Sequence, residues 1–132
     1  MRSYQNQTLK HLKIYQKSID IFNLSSRIAS YITNDKSMLS MYTSPKRSDR
    51  YADSLVMNSL GLVPKILETE TEENPKLKLK YAKSLRFFID VLYEDCLRLE
   101  RSRIRGKDFI RMLRKELKSL RKIHMLYVNS LL

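Results

Sequence analysis

A chain of 132 residues and 15.7 kDa is long enough to bury one core and short for more than one domain. Hydrophobic residues at 42% can fill that core, while two glycines and three prolines are too few for a turn-rich β fold, which leaves helices. A formal charge of +12, from 26 Lys and Arg against 14 Asp and Glu, repels itself in a compact fold and points to a polyanionic partner.

Apolar residues recur at helical spacing from about Leu9 to Ile32 in two neighbouring rows. One holds Leu12, Tyr15, Ile19 and Phe22; the other holds Ile14, Ile21, Leu24, Ile28 and Tyr31. A stripe that wide predicts a first helix over about residues 9–33 with neighbours on more than one side, and favours a homo-oligomer. Asn34 to Pro45 reads as a loop. Ser44-Pro45 resembles a capped helix start, so a second helix is expected over about 45–70, with Val56, Leu60, Val63 and Leu67 on one face. Pro64, close to Gly61, predicts a kink there or a break into two pieces.

Glu68, Glu70, Glu72 and Glu73 read as a solvated helix end. Asn74-Pro75 repeats the cap-plus-proline signal and opens a third helix over about 75–101, with Tyr81, Leu85, Phe88, Leu92, Cys96 and Leu99 inward. Gly106 marks a turn. In the fourth helix, about 106–131, Ile110, Leu113, Leu117, Leu120, His124, Tyr127 and Leu131 alternate spacings of three and four, the seam pattern of a bundle. The expected fold is an all-α, up-and-down four-helix bundle forming a single domain over residues 1–132.

Catalysis needs convergent reactive side chains, and few are on offer. His11 lies in a Lys-rich stretch, His124 falls on a seam, and no Glu precedes a His by three, as in di-metal bundles. Cys96 is the one cysteine, so no internal disulfide forms, and its core-compatible position suits an inert thiol in a reducing cytosol. Met1 to Lys13 is polar, without the apolar stretch of a signal peptide, and no run approaches the roughly 18 apolar residues of a membrane span. A cytoplasmic protein without catalytic residues, metal or cofactor is the expectation.

Basic residues concentrate late in the chain, where eleven stand against three carboxylates between Arg98 and Lys122. Lys107, Arg111, Arg114, Lys118 and Arg121 recur at intervals of four and three, which places them on one stripe, flanked by Lys115 and Lys122 and preceded by Arg101, Arg103 and Arg105. Solvated helix faces usually mix signs to form pairs four apart. This one scarcely does, so phosphates of RNA or DNA are the expected counter-charge. Lys76, Lys78, Lys80, Lys83 and Arg86 load the third helix similarly. A membrane surface fits less well, because the helices carry core-type apolar faces and no aromatic anchor is evident.

Leu12-Lys13-Ile14-Tyr15-Gln16-Lys17-Ser18 resembles the Leu-x-Val-(Trp/Tyr)-Gln-Lys-Ala opening of the bacterial four-helix-bundle proteins encoded in 23S ribosomal RNA intervening sequences. Lys107 to Arg114, with Ser119-Leu120 after it, is similar to another stretch of that family. Val63-Pro64 resembles its Ile-Pro, although the Asn-Ile-Ala-Glu-Gly that follows there is absent. In that family the Phe-Ile-Arg stretch lies in the third helix; here it opens the fourth. That layout is similar to the related accessory variability determinant (Avd) proteins of diversity-generating retroelements. The resemblance implies a cyclic pentamer with a basic surface and, in the Avd branch, a nucleic-acid-binding partner of a reverse transcriptase. Two functions follow as expectations: a non-enzymatic nucleic-acid-binding accessory protein, or an adaptor or structural ring whose charge steers an acidic partner.

Overall fold

The computed structural model describes residues 12–132, so Leu9 and His11 lie outside the described residues. Among the described residues five helices follow one another: α1 (Lys13–Thr33), α2 (Met38–Tyr42), α3 (Arg47–Thr71), α4 (Pro75–Arg101) and α5 (Lys107–Ser130). The four long ones pack in a ring, α1 on α3, α3 on α4, α4 on α5 and α5 back on α1. Cross-helix partners fix the directions. Ser54 meets Asp95 while Glu70 meets Lys78, and Glu100 meets Arg114 while Ala82 meets His124, so α4 runs antiparallel to both neighbours.

A single repeat organises the core. The buried residues of α3 include Ala52, Leu55, Ser59, Leu62, Ile66 and Thr69; those of α4 include Ala82, Leu85, Ile89, Leu92, Cys96 and Leu99; those of α5 are Ile110, Leu113, Leu117, Leu120, His124 and Tyr127. Each set steps by three and four, as does Ile14, Ser18, Ile21, Ser25 and Ile28 in α1. Side chains spaced this way interdigitate between helices, and each fully buried Leu or Ile contributes roughly 1.5–3 kcal/mol relative to exposure. The small polar members satisfy themselves locally: Ser18 Oγ donates to the Ile14 carbonyl at 2.7 Å and Thr69 Oγ1 to that of Lys65 at 2.8 Å. His124 Nε2 donates across the interface to the Ala82 carbonyl at 2.7 Å, a core role for the seam histidine.

Several expectations need correction. The apolar row of α3, Val56, Leu60, Val63 and Leu67, is not the seam, since Leu60 and Leu67 are 44% and 43% exposed while only Val56 is buried. The true seam includes Ser59 and Thr69, whose hydroxyls are hidden by bonds to the helix backbone, and the purely apolar row lies beside it. Tyr31 is likewise 53% exposed rather than inward. Residues 34–45 are not all loop. Ser37 caps α2 by accepting from the Ser40 amide, and Met41 packs with Ala29, Ala52 and Val56. Ser44-Pro45 lies just outside α3, where Ser44 Oγ accepts from the Lys46 amide at 3.2 Å and donates to Asp49 at 2.7 Å.

Pro64 does not break α3, which runs uninterrupted from Arg47 to Thr71. Proline leaves one carbonyl, that of Leu60, without its helical donor, and both residues lie on the solvent side, where water can serve it. At Asn74 the predicted cap is in place, Oδ1 accepting from the Lys76 and Leu77 amides at 3.0 and 3.2 Å with Pro75 in the first turn. Glu70 is less free than expected, accepting from the Tyr127 hydroxyl and pairing with Lys78 at 3.8 Å.

Asp95 couples α3 to α4. Its carboxylate is 1% exposed and accepts from Ser54 Oγ at 2.6 Å, with Arg98 4.0 Å away. Burial pushes its pKa up to about 6, more than Ser54 and Arg98 lower it. The folded state therefore holds this proton more tightly than the unfolded chain does. The stability it lends is fully present below about pH 4 and is lost as pH rises through 6. Asp95→Asn should flatten that decline, stabilising the protein at pH 7 relative to pH 4 by up to about 3 kcal/mol compared with the parent. Urea denaturation of both proteins at the two pH values checks this, and equal pH dependence would reject it.

Candidate nucleic-acid interface

The basic residues of α5 divide by which way they face. Arg114 and Arg121 lean toward α4, while Arg111, Lys115, Lys118 and Lys122 are exposed on the outer surface. The expectation that this face lacks carboxylates fails, because α4 supplies them across the interface. Glu100 accepts from Arg114 Nη2 at 2.9 Å and lies 3.7 Å from Arg111 Nε. Asp90 accepts from Arg121 Nη2 at 3.1 Å and from Arg86 Nε at 2.8 Å, and Asp108 accepts from Arg111 Nη1 at 2.7 Å. A count along α5 alone misses partners that belong to the neighbouring helix.

Tyr93 joins the same cluster. The Arg121 guanidinium lies over its ring, 4.2 Å from the centroid, a cation–π contact made strong by partial burial. Tyr93, together with Glu100, raises the pKa of Arg114 against the opposing effect of burial. Arg114 and Arg121 thus bind α4 to α5. Their 30% and 29% exposure leaves little of either for a ligand.

The lysines are different. Among the described residues, Lys107, Lys115, Lys118 and Lys122 have no hydrogen-bond or ion-pair partner. Arg111 is 54% exposed and its Asp108 partner 93%, a solvated pair of the kind worth about 0–1 kcal/mol and open to exchange with a phosphate. Toward the end of α5, Lys122 and Arg121 meet Lys83 and Arg86 of α4 around an open groove of about 450 Å³ with Met125 on its wall.

The remaining predicted residues lie at the opposite end of the bundle. Arg101 ends α4 and is exposed. Arg103, Arg105 and Lys107 line a second depression of about 740 Å³, which Lys46 and Arg47 also line. Lys46 and Arg47 were absent from the predicted site, being some sixty positions away in sequence. The signal was present in the alternation of helix directions: α3 and α5 both run antiparallel to α4, so their starts share one end. Among the described residues no group of three or more His, Cys, Asp or Glu side chains is arranged to hold a metal ion, and no helix is long and apolar enough to cross a membrane.

The division of labour is testable by stability alone. Arg121→Gln removes a cation–π contact and a partly buried pair and should lower the unfolding free energy by about 1 kcal/mol. Lys118→Gln touches nothing and should stay within about 0.5 kcal/mol of the parent. Chemical denaturation monitored by helical circular dichroism separates them, and equal effects would show that the arginine has no packing role.

The chain matches no protein-family model, no curated protein and no solved structure.

Proposed function

We propose that this protein is a non-enzymatic accessory protein that binds RNA or DNA through phosphates, in the manner implied by its resemblance to Avd proteins. The observation that carries the reading is the row of unpaired lysines on α5, continued by Lys83 on α4 across the groove. A cation without a protein partner gives up no existing pair to meet a phosphate, whereas a paired arginine must first give up its carboxylate. Long flexible lysines on a regular helix suit backbone contacts, which give affinity without reading bases. Arg111, beside the row, joins it by exchanging Asp108. A reverse transcriptase as protein partner belongs to the same reading and rests on the resemblance alone.

Each phosphate neutralised releases condensed counterions, so log affinity should fall with log salt by about 0.7–0.9 per contact. A Lys115→Gln/Lys118→Gln/Lys122→Gln variant keeps good helix formers and removes only unpaired charges. Its helical signal should be unchanged, its affinity for generic single- and double-stranded nucleic acid lower, and its salt slope smaller by about two to three contacts' worth. Parent-like affinity and slope would move the interface off α5. No binding by the parent at low salt would favour the adaptor reading.

Self-association is part of the proposal. Beside the α3 seam, Met57, Leu60 and Leu67 are 48%, 44% and 43% exposed, and half-buried Val63 and exposed Pro64 complete an apolar strip along the helix. Such a strip favours burial against a second copy, and the resemblance implies a closed ring of five. Light scattering should give a mass that is a multiple of the 15.7 kDa chain. Leu60→Glu/Leu67→Glu should reduce it to one chain while the helical signal stays; a monomeric parent at micromolar concentration would end this part.

A further inference from the structure

The depression at the start of α3 and α5 differs in kind from the lysine row. It is a pit at the end of the bundle rather than a strip along it, with an open volume of about 740 Å³, inside the range of small-molecule sites of roughly 300–1,000 Å³. Five cations line it: Lys46 and Arg47 from α3, Arg103 and Arg105 from the α4–α5 connection, and Lys107 from α5. None of the five has a side-chain hydrogen bond or ion pair among the described residues. The lining carboxylate, Asp49, is already committed, accepting from Ser44 at 2.7 Å and pairing with Lys36. Burial raises its pKa, but those two bonds and the charges of Lys36 and Lys46 together hold it below the ordinary carboxylate value.

Backbone adds to the same field. The depression receives the N-termini of two long helices, and neither has a capping side chain: Lys46 precedes α3 and Gly106 precedes α5, each without a cap hydrogen bond. First-turn amides and the positive end of the helix dipole favour an anion at both. Gly106 sits at φ +87, and a Cβ there would lie 2.9 Å from the Tyr31 ring, so a glycine is what lets the start of α5 approach the ring. Tyr31 is itself 53% exposed, lines the depression, and is held edge-to-face by Phe109 at 5.7 Å between centroids.

We propose that this depression binds a phosphomonoester, the terminal phosphate of a nucleotide, with its base against Tyr31. A monoester brings two charges on one end of a molecule and fits a pit ringed by cations; an internal diester carries one charge, continues on both sides and fits a strip. An exposed tyrosine supplies the stacking surface that any base can use. The nucleotide is either free or the 5′ end of a strand, and only the second source rests on the nucleic-acid reading above.

Calorimetric titration of the full chain at low salt with adenosine 5′-monophosphate and with adenosine tests the site. The monophosphate should bind and adenosine should not. Arg103→Gln/Arg105→Gln, folded by circular dichroism, should weaken the monophosphate by at least about tenfold, as losing charged hydrogen bonds does, whereas the α5 triple lysine variant should bind it like the parent. Short oligonucleotides with a 5′-phosphate or a 5′-hydroxyl distinguish the sources: a preference for the phosphate that disappears in the double arginine variant assigns the strand end, and no preference assigns the free nucleotide. Monophosphate binding without any strand binding leaves this site standing and removes the α5 interface. Strand binding with a silent monophosphate titration does the reverse, and monophosphate binding unaffected in a folded Arg103→Gln/Arg105→Gln protein removes this site.

Discussion

Alternating steps of three and four residues place Leu85, Ile89, Leu92, Cys96 and Leu99 of α4 against the matching rows of α3 and α5, all removed from water. This shared repeat sets the rest of the molecule. It holds neighbouring helices close to parallel in axis, so that short connections of 72–74 and 102–106 suffice. It also fixes what each remaining face can do. Arg114 and Arg121, one step off the seam, reach across to the next helix, where they find Glu100 and Asp90, whereas Lys115 and Lys122, two steps off, face solvent.

Charge follows that geometry. On α5, Arg114 and Arg121, each with a planar fork and a weakly hydrated cation, occupy the partly buried positions where they pair with carboxylates and Arg121 lies over Tyr93, while Lys115, Lys118 and Lys122, strongly hydrated point charges, occupy the outer ones. Much of the positive excess is therefore carried by side chains that the fold does not need. Removing them changes the field around the protein more than its stability, which is the property expected of a surface kept for a partner.

The fourth long helix was legible residue by residue because its seam is apolar apart from His124, and the third nearly so. The first two were legible as helices but not in register. Ser18, Ser25, Ser59 and Thr69 occupy seam positions, and a hydroxyl that bonds its own helix backbone looks polar in sequence while behaving as a small spacer in the core. Attention then shifts to the apolar row beside the seam, which in α3 turned out to be partly exposed. The ion pairs of α5 were invisible for another reason: Asp90 and Glu100 lie 31 and 14 positions from their arginines, beyond the reach of any rule about one helix. The clustering of Arg47 with Arg103 and Arg105 likewise exists only once the directions of the helices are known.

Cys96 gives this packing a built-in reporter. The chain's single thiol sits fully buried in the α4 seam, where burial, then Asp95 and Glu100, push its pKa up to about 12. A thiol so protonated and so enclosed cannot meet an alkylating reagent in the closed bundle, since only the thiolate reacts. Capture has to wait for α4 to part from its neighbours and expose the sulfur. The rate at which a small electrophile consumes that one sulfur, compared with the rate for the unfolded chain, therefore counts how often the core opens, without any label or substitution being introduced.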